Sequence, residues 1–123
     1  MNKRTALYCR SATPDAQAIA QQRTALRHYA EEQGFDTLIR YEDNGCSGSN
    51  LDRPAFTRLE QDIRDGKVAR VLVKNISRLG RNTAEVVKLL VWLRRHGVEI
   101  YMLDGQADLN PLLAALEGGT ADA

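Results

Sequence analysis

A chain of 123 residues is long enough for one domain with a buried core and short for two. Its 43% hydrophobic and 27% charged residues belong to a soluble globular fold, and a formal net charge of +1 gives no overall field toward nucleic acid or membrane. Two cysteines, Cys9 and Cys46, form neither a disulfide framework nor the paired spacing of a zinc site, and no signal-like apolar segment follows the Met-Asn-Lys-Arg start, so a cytoplasmic protein is expected.

The first apolar run, residues 6–9, predicts a buried strand that leads into Arg10-Ser11-Ala12-Thr13. Side chains alternate along a strand, so Tyr8, Arg10 and Ala12 are expected on one face and Cys9 and Ser11 on the other. Thr13-Pro14 reads as a cap with proline at the first helical position. The helix it opens carries Ile19, Gln22, Leu26 and Tyr29 at helical spacing and stops at Gly34. Residues 37–41 predict a second strand. A second helix starts near Pro54, with Phe56, Leu59 and Ile63 on one side, and ends at Gly66. Residues 71–73 predict a third strand, a third helix runs from Asn82-Thr83 through Val86, Val87, Leu90 and Leu93 to Gly97, and residues 98–103 predict a fourth strand. Strict alternation of strand and helix argues for a parallel sheet with helices on its faces.

Ligands of such sheets sit beyond the carboxyl ends of the strands. That edge is expected to gather "CRSAT", "EDNGCSGSNLDRP", "KNISRLGRNT" and Asp104-Gly105. Turn geometry alone would be met by Gly45, Gly48, Pro54 and Gly80. Four arginines, Arg10, Arg53, Arg78 and Arg81, exceed that need, and guanidinium groups converging there would suit a phosphodiester. Residues 64–81 hold Arg64, Lys67, Arg70, Lys74, Arg78 and Arg81 against one acid, Asp65, which reads either as a solvated face or as a nucleic-acid contact.

Several residues carry plainer readings. Cys9 and Cys46 are expected buried and inert, and His28 and His96 solvent-facing. The Tyr8 hydroxyl is expected to support Arg10. Gln17, Gln21 and Gln22 either brush the phosphate region or form an exposed helical face, and Asp43 is a turn-former or an arginine partner rather than, with Asp52, a metal ligand.

Three segments in order resemble the catalytic domain of serine recombinases of the resolvase and invertase type. "ALYCRSAT" resembles the family's Tyr-x-Arg-x-Ser strand, "DNGCSGSNLDRPAFTRL" its Asp-x-Gly-x-Ser-Gly segment followed by Arg-Pro, and "VLVKNISRLGRNT" its Arg-Leu-Gly-Arg loop. The resemblance covers residues 5–109. It implies a resolvase-like α/β fold in three layers, a parallel sheet of four to five strands with helices on both faces. It also implies DNA cleavage and rejoining through a serine-phosphodiester link, with no metal and no cofactor. By resemblance Arg10, Arg53, Arg78 and Arg81 hold and stabilise the phosphate, with Lys74 beside them as a DNA contact. Counting from Tyr8 and Arg10, the nucleophile position is Ala12, and the hydroxyl is displaced to Ser11. Asn75 and Ser77 stand where relatives place acids.

The expected organisation is a catalytic-type domain over residues 1–109, then a short helix over 111–116 and a disordered tail within 110–123. Without the family's long downstream helix and DNA-binding domain, weak and non-specific DNA binding is expected. Partners would be DNA, a second copy, or a full-length recombinase, and no membrane. Three functions stay open: a recombinase with weakened chemistry through Ser11, a non-catalytic regulator that binds DNA or a recombinase, and an unrelated phosphate-binding α/β domain.

Overall fold

Strands too short and apolar to face water on either side must be covered by helices, and the computed structural model shows how. It describes residues 3–45, 53–75, 78 and 83–104. Over them the elements alternate: β1 (Arg4–Ser11), α1 (Ala16–Glu32), β2 (Leu38–Asn44), α2 (Pro54–Arg64), β3 (Val68–Val73), α3 (Thr83–Arg95) and β4 (Glu99–Met102). All described strand pairs are parallel, in the order β2-β1-β3-β4.

The chain steps one way from β1 to β2, then reverses across β1 to β3 and continues to β4. Crossovers of one hand then put α1 on one face and α2 and α3 on the other. The core divides in that way. Leu7, Cys9 and Leu72 pack against Ile19, Leu26 and Ala30 of α1. On the opposite face Ala6, Tyr8, Val71 and Val73 pack against Phe56, Leu59 and Ile63 of α2 and Val86, Leu90 and Leu93 of α3. The expected three-layer α/β architecture is the one observed, with four strands among the described residues.

Several expectations are corrected. The cap of α1 is Asp15, whose carboxylate accepts from the Ala18 N–H at 3.0 Å, rather than Thr13-Pro14. A carboxylate satisfies a first-turn donor that proline leaves untouched. Ala30 rather than Tyr29 completes the buried stripe of α1. Val87 is 41% exposed, because Val86, Leu90 and Leu93 already fill the inward face of α3. β2 runs past Tyr41 through Glu42, Asp43 and Asn44.

Among the described residues, the basic run 64–81 does not form one patch. Arg64 and Lys67 precede β3, and Arg70, early in the strand, donates to Thr5 Oγ1 and stacks on Phe35 at 4.1 Å. Lys74 and Arg78 follow the strand's other end. Six strand residues separate the groups by roughly 20 Å. Arg81, Cys46, Asp52, Ser77 and residues 105–123 lie outside the described residues.

The loop after β2 is tied to the loop after β1. Gly45 N–H donates to the Ser11 carbonyl at 2.8 Å, and Asn44 Oδ1 accepts from Asp15 N–H at 2.7 Å. Gly45 has φ +87°, and a Cβ there would meet Pro14 Cγ at 3.1 Å. Gly45→Ala should therefore cost about 1–3 kcal/mol. Gly66→Ala, at φ +73° but with open space, should cost less in thermal denaturation.

Candidate functional site

The reversal of chain direction leaves a crevice between the carboxyl ends of β1 and β3, where open α/β sheets take their ligands. Arg10 lies near the end of β1, and Arg78 lies beyond the end of β3. Arg53 immediately precedes α2, whose first helical residue is Pro54. These three residues come together. Arg10 Nε donates to the Arg78 carbonyl at 3.2 Å, and Arg53 Nη1 donates to the same oxygen at 3.4 Å. Arg10 is 4% exposed and Arg53 is 7% exposed.

The surroundings fix both side chains. The Arg53 guanidinium lies over the Phe56 ring at 4.4 Å, and Phe56 meets Tyr8 edge-on at 5.2 Å between centroids. Burial pulls the Arg10 guanidinium below its ordinary range; neighbouring Arg53 and Arg78 push it the same way, and Tyr8 and Asp43 oppose them. An arginine stays charged despite such a shift, so the cluster concentrates positive charge in a crevice. The Nε of Arg78 is buried without a hydrogen-bond partner among the described residues.

Asp43 lies within electrostatic reach of Arg10, and its carboxylate also holds three hydrogen-bond donors. Its Oδ1 accepts from Ala55 N–H at 2.8 Å, and its Oδ2 accepts from Phe56 N–H at 3.0 Å and from the Tyr8 hydroxyl at 2.8 Å. It is the cap that α2 lacks from Arg53, delivered from a neighbouring strand. The Tyr8 hydroxyl therefore bonds Asp43 and lies within electrostatic reach of Arg10. Burial first, and the bond to Asp43 second, push the Tyr8 hydroxyl well above its ordinary range.

β1 remains a strand through Ser11, so its pleat holds there and turns Ser11 toward the Cys9 face, away from that of Tyr8 and Arg10. The Ser11 hydroxyl donates to the Thr13 carbonyl at 2.6 Å. Ala12, two residues beyond Arg10, is exposed. Cys9 is buried, and burial foremost pushes its thiol up to about 12, which makes it inert. His28 and His96 are exposed, as expected, and Gln17 and Gln21 line an open groove on the outer face of α1. Gln22 is different: it is 4% exposed and bonds to the Arg10 peptide. Lys74 and Asn75 are half-buried after β3. Among the described residues no group of three or more His, Cys, Asp or Glu gathers as a metal site, and no helix is long and apolar enough to cross a membrane.

Fold and site together define a parallel α/β domain with an arginine-lined crevice at the turning point of its sheet. The chain belongs to the family described as the resolvase N-terminal domain, whose model matches residues 5–116. It is similar to the N-terminal catalytic domain of TP901-1 integrase, with 27% identity, a TM-score of 0.80 and 98% of each chain covered. A resolvase family site-specific recombinase from Streptococcus pneumoniae matches at 26% identity and a TM-score of 0.75, over 98% of this chain and 89% of that one. The Transposon Tn3 resolvase of Escherichia coli is 36% identical over 59 residues, 48% of this chain and 31% of the relative. The chain spans between 19% and 31% of the length of the curated relatives it matches.

Proposed function

We propose that this chain is a site-specific recombinase-type domain that grips a DNA phosphodiester at Arg10, Arg53 and Arg78, with Lys74 and, by the family resemblance, Arg81 as further contacts, and whose strand cleavage is weakened or lost. The observation that carries the reading is the meeting of the Arg10 and Arg53 guanidinium groups on the Arg78 carbonyl at the crevice of the sheet. Guanidinium forks match the non-bridging oxygens of a phosphate, and the buried Nε of Arg78 is a donor that such an oxygen would satisfy.

In an intact site of this type a serine oxygen attacks phosphorus, its proton leaves to a base, and a deoxyribose oxygen departs, conserving the bond energy in a phosphoserine link. Arginines would stabilise the charge that grows on the phosphoryl oxygens. Here the position two residues beyond Arg10 offers only a methyl group, and the neighbouring hydroxyl is engaged by Thr13. Those two facts favour a domain that binds and does not cut, acting on DNA in the cytoplasm either as a homodimer or paired with a full-length recombinase. Binding through a few phosphates is weak, sequence-tolerant and steeply salt-dependent.

Arg78→Ala is a clean test, because it removes one guanidinium and keeps the carbonyl on which Arg10 and Arg53 rest. In a fluorescence anisotropy titration with a short duplex, affinity should fall roughly tenfold and the log-log salt slope should lose about one unit. Arg64→Ala with Lys67→Ala, on the opposite edge of the sheet, should change affinity by less than about threefold. The reverse pattern would remove the phosphate grip from this crevice.

A further inference from the structure

We infer that Gln22 is a positioning residue for the arginine crevice: its side-chain amide bonds both polar groups of the Arg10 peptide and thereby sets where the Arg10 guanidinium sits. The inference rests on the proposed phosphate grip for its functional meaning and on the ladder geometry for its physical basis.

In a parallel strand the N–H and C=O of one residue point to the same side, and successive residues alternate sides. In β1 the even residues point toward β3, as Arg4 N–H shows by donating to the Lys67 carbonyl. The odd ones point toward β2, as Thr5 N–H shows by donating to the Thr37 carbonyl. Pairing of β1 with β2 continues to Ser11 opposite Asn44, whereas pairing with β3 stops at Leu7 opposite Leu72. Beyond that point no further β1–β3 pairing is seen among the described residues, and the Arg10 peptide bonds the side chain of Gln22.

Gln22 supplies a peptide-like pair of bonds there. Arg10 N–H donates to Gln22 Oε1 at 3.1 Å, and Gln22 Nε2 donates to the Arg10 carbonyl at 2.9 Å. A primary amide is the side chain that offers one acceptor and one donor in the geometry of a peptide. Gln22 sits among the buried residues of α1, Ile19 and Leu26, so the contact joins that helix to the floor of the crevice. The cost of burying such an amide is offset only because both its ends are bonded. With the peptide fixed, the Arg10 side chain starts from a defined point and reaches the Arg78 carbonyl.

Two variants separate positioning from mere stability. Gln22→Leu keeps size and apolar packing but leaves the Arg10 N–H and C=O without the amide. Gln22→Glu can reproduce both bonds only while its carboxyl is protonated, accepting with the carbonyl oxygen and donating with the hydroxyl; once ionised it can only accept. The Arg23–Glu42 ion pair and Arg78 are charged groups near that face of the sheet in wild type and variant alike, so each comparison is made against wild type at the same pH.

The experiment uses the full chain with nitrogen-15 labelling, following the Arg10 Nε–Hε cross-peak and the affinity for a short DNA duplex. Gln22→Leu should broaden or shift that cross-peak and weaken duplex binding roughly tenfold. Gln22→Glu should match wild type at acid pH and lose both signals as the carboxyl ionises. An unchanged cross-peak and affinity in Gln22→Leu would overturn the inference, as would a Gln22→Glu variant with no pH-dependent recovery of the cross-peak. If the wild-type chain does not bind the duplex, the phosphate grip fails as a reading, and the cross-peak and its recovery still decide the role of Gln22.

Discussion

Asp43→Ala is expected to destabilise the domain by about 3–5 kcal/mol, the sum of a lost helix cap and stranded buried groups. One carboxylate serves three donors: the N–H groups of Ala55 and Phe56 in the first turn of α2, and the Tyr8 hydroxyl on β1. Arg53, the residue at the cap position, makes no side-chain cap bond of its own, so nothing on α2 replaces the loss. The Tyr8 ring is fully buried and cannot turn its hydroxyl to water. Tyr8→Phe should cost only about 1 kcal/mol, because it removes a donor and leaves Asp43 its two backbone partners. In the double variant the orphaned hydroxyl is gone, so the two changes should sum to more than the measured loss. Urea titrations of the four proteins give the cycle. A loss below about 1 kcal/mol for Asp43→Ala would mean that water or a neighbouring group takes over the cap.

The order of elements was legible because buried strands between helices must be short apolar runs, and those at residues 6–9 and 71–73 fall inside β1 and β3. Strand ends were not legible where charged residues belong to the sheet. Glu42 and Asp43 look like a loop in sequence, yet Glu42 pairs with Arg23 and Asp43 caps α2, and both needs arise only when helices pack on the strand. The same limit applies to Gln22. Its helical spacing with Ile19 and Leu26 was visible, but its two bonds to the Arg10 peptide arise only when α1 packs beside the end of β1. Nearness along the chain misled in the opposite sense at residues 64–81, since β3 carries one half of that basic run to one edge of the sheet and the other half to the far edge. Arg10 and Arg78 were legible together because they stand at and beyond the carboxyl ends of β1 and β3, and a parallel sheet collects those ends.

Wild-type protein should form no covalent link to DNA, and Ala12→Ser should create one. The substrate is a duplex nicked beside the cleavable bond, so that a cut strand diffuses away and traps any phosphoserine intermediate as a shifted band on a denaturing gel. The wild-type expectation follows from geometry at two neighbouring positions. Ser11 has a hydroxyl, but β1 keeps its pleat through that residue and its oxygen donates to the Thr13 carbonyl. Ala12 stands two residues past Arg10 and has no hydroxyl. Restoring the oxygen there puts a nucleophile into a loop that is already held at Arg10 by Gln22, at Ser11 by Gly45 and at Asp15 by Asn44. The rescue should be partial, slower by about 100- to 10,000-fold than a site with a full proton-transfer partner, since Asn75 and Ser77 occupy positions where the resemblance places acids. A wild-type adduct that disappears in Ser11→Ala would show that the loop opens during binding and delivers the displaced hydroxyl. A silent Ala12→Ser variant that still binds duplex would show that the crevice holds phosphate in a place the strand end cannot reach.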